Sequence, residues 1–242
     1  MIKKYKFKIL LYLFLVACGN AEEQVRTPSS VSEIKDPVDL IKLAGSKKTA
    51  GAYDEAIDAL DKALQLDPLS AQSFYQKGLI YEEWDKREEA LEAYKKAVEI
   101  NPSYNNARLG LASLYDKSVL NELALEQYLK VAETIKNDPE LYFKIALEYW
   151  YLQDILKTAE YYNRVIELNK DHLQAHLNLV SVYERMKDWE KALLEIKIVK
   201  QLSSTTRDQQ AMKIAENKLK FIEGRMNLTK GDIKRKSEPP FD

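Results

Sequence analysis

Between Pro37 and Thr206, apolar residues recur at intervals of three and four and nowhere alternate by two, which predicts helices and excludes strands. Phe74, Gly78 and Tyr81 form one such stripe, and Ala90, Tyr94 and Ala97 form the next. The stripes themselves recur every 34 residues, five times over. Stepping by that interval from Ala56 gives Ala90, Ala124, Thr158 and Ala192, with nothing larger than threonine. Ala63, Ala97, Val131, Val165 and Val199 form a second small column, and Ala44, Gly78, Ala112, Ala146 and Val180 a third. Beside them run columns of bulk, Tyr81, Tyr115, Tyr149 and Tyr183 in one and Leu60, Tyr94, Tyr128, Tyr162 and Ile196 in another. Small residues facing large ones let two helices approach closely while rings fill the gaps. Each unit therefore predicts a helical hairpin, and a fixed period of this length predicts a stack of them.

Punctuation agrees with the pattern. Gly51 predicts the turn inside the first hairpin. Pro68 and Pro102 follow Gln65-Leu66-Asp67 and Glu99-Ile100-Asn101, where a ring without a donor ends one helix and is placed to open the next. The run from Ala71 to Tyr104, AQSFYQKGLIYEEWDKREEALEAYKKAVEINPSY, resembles a tetratricopeptide repeat through Phe74, Gly78, Tyr81, Ala90, Tyr94, Ala97 and Pro102. The resemblance covers 170 of 242 residues as units 37–70, 71–104, 105–138, 139–172 and 173–206. Departures include Lys47 in the tyrosine column, Arg108 and His176 in the aromatic column that opens each first helix, and Lys136, Lys170 and Ser204 where proline is usual. The family implies an all-α fold, a right-handed α-solenoid of five hairpins. A sixth stripe through Ala211, Ile214 or Ala215, Lys218 and Ile222 predicts a capping helix over 207–224 that stops at Gly224, followed by a disordered polar tail over 225–242. That tail carries Lys230, Lys234, Arg235 and Lys236, a solvated charged end or a contact for anionic lipid.

In this family the first helix of each hairpin lines a concave surface on which partner peptides dock. Carried over by register, Ile41, Tyr75, Leu109, Phe143 and Leu177 face that surface, with Leu79 and Leu147 one turn further along. Leu109 and Leu177 serve packing as readily as binding. Trp150 and Tyr151 fall at the rim of the fourth hairpin, where neighbouring units place Glu82, Asp116 and Glu184, so the groove is expected to have an apolar floor and an acidic edge. Tyr149 already fills the packing column, which leaves Trp150 and Tyr151 for a partner, and aromatics in a concave patch are typical hot spots. A carboxylate clamp of the kind found in chaperone-tail grooves is excluded, because the matching places hold Tyr75, Leu79 and Gly110.

The amino terminus has a different logic. Lys3, Lys4, Lys6 and Lys8 precede an apolar run from Ile9 to Ala17, too short to span a bilayer that needs about 20 residues, so residues 1–17 read as an export signal. It ends in Leu15-Val16-Ala17-Cys18-Gly19, which resembles the bacterial lipobox, and the resemblance implies diacylglyceryl transfer to Cys18, cleavage before it and acylation of the new terminus. Ordinary cleavage after Ala17 is the alternative, which Leu15 fits poorly. Residues 18–36 then form a lipidated flexible tether reaching about 20 to 25 Å as a coil. More than one acyl chain anchors stably. The expected location is a bacterial cell envelope, at the outer membrane.

Composition narrows the chemistry. Cys18 is the only cysteine, which removes disulfides, thiolate metal sites and a catalytic thiol. Without residues 1–17 the chain carries 33 basic and 38 acidic residues, no signature of nucleic-acid binding. No phosphate-cradling loop appears among seven glycines. His172 and His176 stand four apart, a spacing that can hold a metal, but no further ligand lies nearby except Asp171, and packing explains His176. Paired acids such as Glu82-Glu83 and Glu88-Glu89 suit solvated helix faces. The sequence thus points to a non-enzymatic adaptor without cofactors, holding a protein or peptide partner in an envelope assembly, or else to a docking regulator of a cell-wall enzyme.

Overall fold

Eleven helices and no strand make up the described residues of the computed structural model, residues 34–237, with side chains described through residue 227. The signal segment, Cys18 and the tether up to residue 33 lie outside them. The helices are α1 (Pro37–Thr49), α2 (Tyr53–Leu66), α3 (Ala71–Glu83), α4 (Arg87–Ile100), α5 (Asn105–Lys117), α6 (Asn121–Ala132), α7 (Pro139–Tyr151), α8 (Ile155–Leu168), α9 (Leu173–Met186), α10 (Trp189–Thr206) and α11 (Gln209–Ser237). Odd-numbered helices α1 to α9 open the hairpins at Pro37, Ala71, Asn105, Pro139 and Leu173, 34 residues apart. Each helix packs on its hairpin mate, and each second helix also packs on the first helix of the next hairpin. This is an α-solenoid.

Local chemistry sets the ends. Asp36 and Asp138 accept backbone N–H groups of the turns they open, and Pro37 and Pro139 occupy a first position whose N–H would have no partner anyway. Pro68 and Pro102 stop α2 and α4 but do not open the following helices, which start three residues later behind Ser70 and Tyr104. Within every hairpin one residue adopts a left-handed backbone: Gly51 (φ 73°), Asp85 (57°), Val119 (57°), Gln153 (65°) and Lys187 (59°). Glycine accepts that geometry freely, whereas a β-branched side chain such as that of Val119 does not.

The small columns are the closest contacts. Ala56, Ala90, Ala124, Thr158 and Ala192 are all fully buried, and Thr158 satisfies its hydroxyl by donating to the Asp154 carbonyl at 2.7 Å. The ring of Tyr94 lies between two glycines: a Cβ on Gly78 would stand 2.4 Å from it, and one on Gly110 would stand 2.7 Å away. Close approach on both sides thus requires glycine at both places.

The C-terminal helix differs from the expected one. Ala211, Ala215 and Ile222 are buried and Lys218 reaches Glu184 at 2.6 Å, but Ile214 stays exposed and α11 continues through Gly224 to Ser237. Neither the stop at Gly224 nor disorder from 225 holds, since residues 225–237 are helical; residues 238–242 lie outside the described residues. A lone glycine in a helix weakens it by about 1 kcal/mol, and without a left-handed turn behind it the ladder runs on. No described helix is long and apolar enough to cross a membrane.

Candidate functional site

The eight residues predicted to line the groove fall into three groups. Tyr75 and Leu79, on α3, pack on the cluster around Tyr94; the Tyr75 ring lies 6.0 Å from that of Tyr94 and edge-on at 5.2 Å from Tyr104. Leu109, Phe143 and Leu177 are half-buried against the large core of the last three hairpins. Phe143 stacks on His172 at 5.0 Å and meets Tyr162 at 5.5 Å. Leu147, Trp150 and Tyr151 converge, and with Tyr162, Asn178 and Ser181 they line a pocket of about 240 Å³.

That pocket is built from three helices. Asp154 caps α8 by accepting the Lys157 N–H at 3.0 Å, which fixes the helix that carries Tyr162. The Tyr162 ring is buried, yet its hydroxyl accepts from Asn178 Nδ2 at 2.7 Å, so the phenol tip reaches between α7 and α9. Burial raises the Tyr162 pKa, which keeps the hydroxyl a neutral donor. Trp150 forms one wall, with the Arg185 guanidinium over its face at 5.4 Å and Arg185 in turn donating to Gln153. Tyr151 is 54 % exposed.

The acidic edge is largely neutralised. Glu82 accepts from the Tyr94 hydroxyl at 2.9 Å and from Lys117 at 2.6 Å, and Glu184 is held by Lys218. Asp116 keeps a different company: it adjoins Glu148, whose side chain is 1 % exposed and whose Oε2 has no hydrogen-bond partner. Burial first, and then the neighbouring Asp116, push the Glu148 carboxyl up to about 7.

Sequence reasoning missed Tyr162, Asn178, Ser181 and Glu148 as members of this region. Tyr162 looked like packing bulk, and only its polar tip signalled more. Glu148 carried a clearer mark, since one period away in either direction stand Leu114 and Val182, and two periods back Ile80, all buried. The histidines do not converge on a common ligand site. His172 Nδ1 accepts the Ala175 N–H at 3.2 Å, while His176 faces Glu195 at 2.6 Å and the Lys170 carbonyl at 2.9 Å.

A stacked helical-hairpin array whose first helices carry an aromatic pocket defines a repeat protein of the solenoid class. Tetratricopeptide repeat models match residues 71–104 in one case and residues 40–68 and 139–172 in another. Three segments of the chain are thus tetratricopeptide repeats. The fold of the chain is similar to that of YrrB, described as a TPR protein with an unusual peptide-binding site, at 22% identity and a TM-score of 0.66 over 77% of this chain and 95% of that one. MamA is similar at 20% identity and 0.64, covering 72% of this chain and 94% of MamA. A MamA from Desulfovibrio magneticus RS-1 matches at 16% and 0.62, over 73% and 98%. A comparison with curated proteins returns no match.

Proposed function

We propose that this protein is a membrane-anchored adaptor of a bacterial envelope assembly that captures a protein or peptide partner on the face formed by its first helices. The observation that carries the reading is the pocket of Leu147, Trp150, Tyr151 and Tyr162, whose apolar walls and few polar groups, Asn178, Ser181 and the Tyr162 hydroxyl, suit one large side chain and one peptide group. Tyr151 is half exposed at the mouth of the pocket and makes no ring contact among the described residues. The anchor reading rests on Cys18 and the basic-apolar segment before it, and the tether gives the array reach beyond the headgroups. Assemblies for outer-membrane protein insertion, pilus biogenesis or polysaccharide export are the settings that fit such an adaptor.

In-cell cross-linking followed by co-purification compares the native protein with a Trp150→Ala/Tyr151→Ala variant. Capture of the partner should fall while the far-ultraviolet circular dichroism stays unchanged, and equal capture would return both residues to a packing role. Replacing Cys18 by Ser should abolish lipid labelling and release the protein from membranes; full membrane retention would remove the anchor from the proposal.

A further inference from the structure

Each of the last four hairpins has a seam where a residue of its first helix faces one 19 positions later on its second. The third hairpin fills that seam with Arg108 and Gln127, Nη1 donating to Oε1 at 2.7 Å. The fifth fills it with His176 and Glu195. In the fourth, the ring of Tyr161 lies 6.1 Å from that of Tyr142 and stacks on Tyr149 at 5.3 Å and 21°. The matching places in the second hairpin are Phe74, Tyr81 and Ala93. Both aromatic walls are present, and the ring between them is missing. What remains is an open furrow of about 460 Å³.

The fourth hairpin therefore shows what the second can hold, one aromatic ring against two others. Walls of this kind offer water few partners, so an incoming ring recovers the contacts that Tyr161 makes two repeats later. The rim adds a charge requirement. Glu88, Glu89 and Glu92 border the furrow, where the fourth hairpin has Leu156, Lys157 and Glu160. Neither Glu88 nor Glu89 forms an ion pair among the described residues, while the two lysines at the furrow, Lys77 and Lys96, are already held by Asp61 at 2.6 Å and Glu99 at 2.7 Å. The uncompensated charge is negative.

We propose that the outer furrow of the second hairpin is a docking site for an aromatic side chain flanked by lysine or arginine on a partner polypeptide. It uses a different stripe of α3 from the one that carries Tyr75 and Leu79, so it can be occupied together with the groove and does not depend on the groove being a binding site.

The purified protein, titrated with acetyl-Lys-Tyr-Lys-amide, should show backbone amide shifts centred on Phe74, Tyr81 and Ala93. Acetyl-Lys-Ala-Lys-amide and acetyl-Glu-Tyr-Glu-amide should each bind at least about tenfold more weakly, the equivalent of about 1.4 kcal/mol. An Ala93→Tyr variant, which supplies the ring as Tyr161 does, should abolish binding. A Glu88→Gln/Glu89→Gln variant, altered only at exposed positions, should weaken the Lys-Tyr-Lys peptide and tighten the Glu-Tyr-Glu peptide by removing the like charges that repel it, which keeps the test open if Ala93→Tyr fails to fold. Undiminished binding in a folded Ala93→Tyr variant, equal binding of the acidic peptide, or no shift at the furrow would overturn the proposal. So would self-association of the native protein that Ala93→Tyr removes, since the furrow would then belong to a second copy of the chain.

Discussion

His176 and Glu195 form a buried ion pair, Nδ1 to Oε2 at 2.6 Å, in the seam that the preceding hairpins fill with two tyrosines and with an arginine and a glutamine. The Lys170 carbonyl facing Nε2 can only accept, so that nitrogen carries a proton, and the carboxylate at Nδ1 favours the doubly protonated ring. Burial alone would lower the imidazole pKa, but the Glu195 hydrogen bond and the Lys170 carbonyl outweigh it and raise the value above the ordinary one.

A raised histidine pKa stabilises the fold below the unfolded value, near 6.5, and the contribution disappears as pH rises through the folded value. Thermal unfolding should therefore shift to lower temperature as pH is raised from about 6 into the alkaline range. Glu195→Gln leaves the buried imidazole without its anion and should cost about 3 to 5 kcal/mol at pH 6, with a flatter pH profile. An unchanged profile in that variant would place the titration elsewhere.

Glu148 acts in the same direction from a different site. Its carboxyl is raised to about 7, so the protonated form is favoured in the fold, and stability declines as pH climbs from the ordinary carboxylate range through 7. Glu148→Leu restores the apolar column of Ile80, Leu114 and Val182 and should raise stability at pH 8 by about 1 to 3 kcal/mol. The gain should vanish at pH 5. Urea unfolding at both values checks it, and a loss of stability at pH 8 would mean that the Asp116 contact supports the array.

Val119 adopts φ 57° in a turn where the first hairpin uses Gly51. Val119 is also 75 % exposed, so little packing is lost on replacement. Val119→Gly should stabilise by about 1 kcal/mol, the difference between left-handed strain and the entropy of glycine. Chemical unfolding that shows no gain would locate a compensating contact at this turn.

Gly110 lies outside the small columns, and its neighbours one period away are Gln76 and Lys144. Its Cβ would meet the Tyr94 ring, which Gly78 blocks from the other side and which Glu82 holds through the hydroxyl. Gly110→Ala should destabilise by about 1 to 3 kcal/mol despite the better helix propensity of alanine. A neutral result in thermal unfolding would show that the ring moves freely.

Much of this was legible from residue order. A period of 34 with small columns at Ala56 and Ala63 and bulky ones at Leu60 and Tyr81 specifies helical hairpins, their starts and their stacking, because helix periodicity and close packing are local and repeat-to-neighbour properties. Trp150, Tyr151 and Leu147 could be placed on one face for the same reason. Only tertiary structure decided which side chains meet across a seam. Tyr161 fills one seam and Ala93 leaves another open, Tyr162 lends its hydroxyl to the groove, and Glu148 is buried without a partner for one oxygen. The acidic edge read from Glu82 and Glu184 was cancelled by Lys117 and Lys218, each about one repeat away in sequence. Periodicity fixes where a column runs, whereas the charge and space at a given place depend on the side chains that neighbouring helices bring to it.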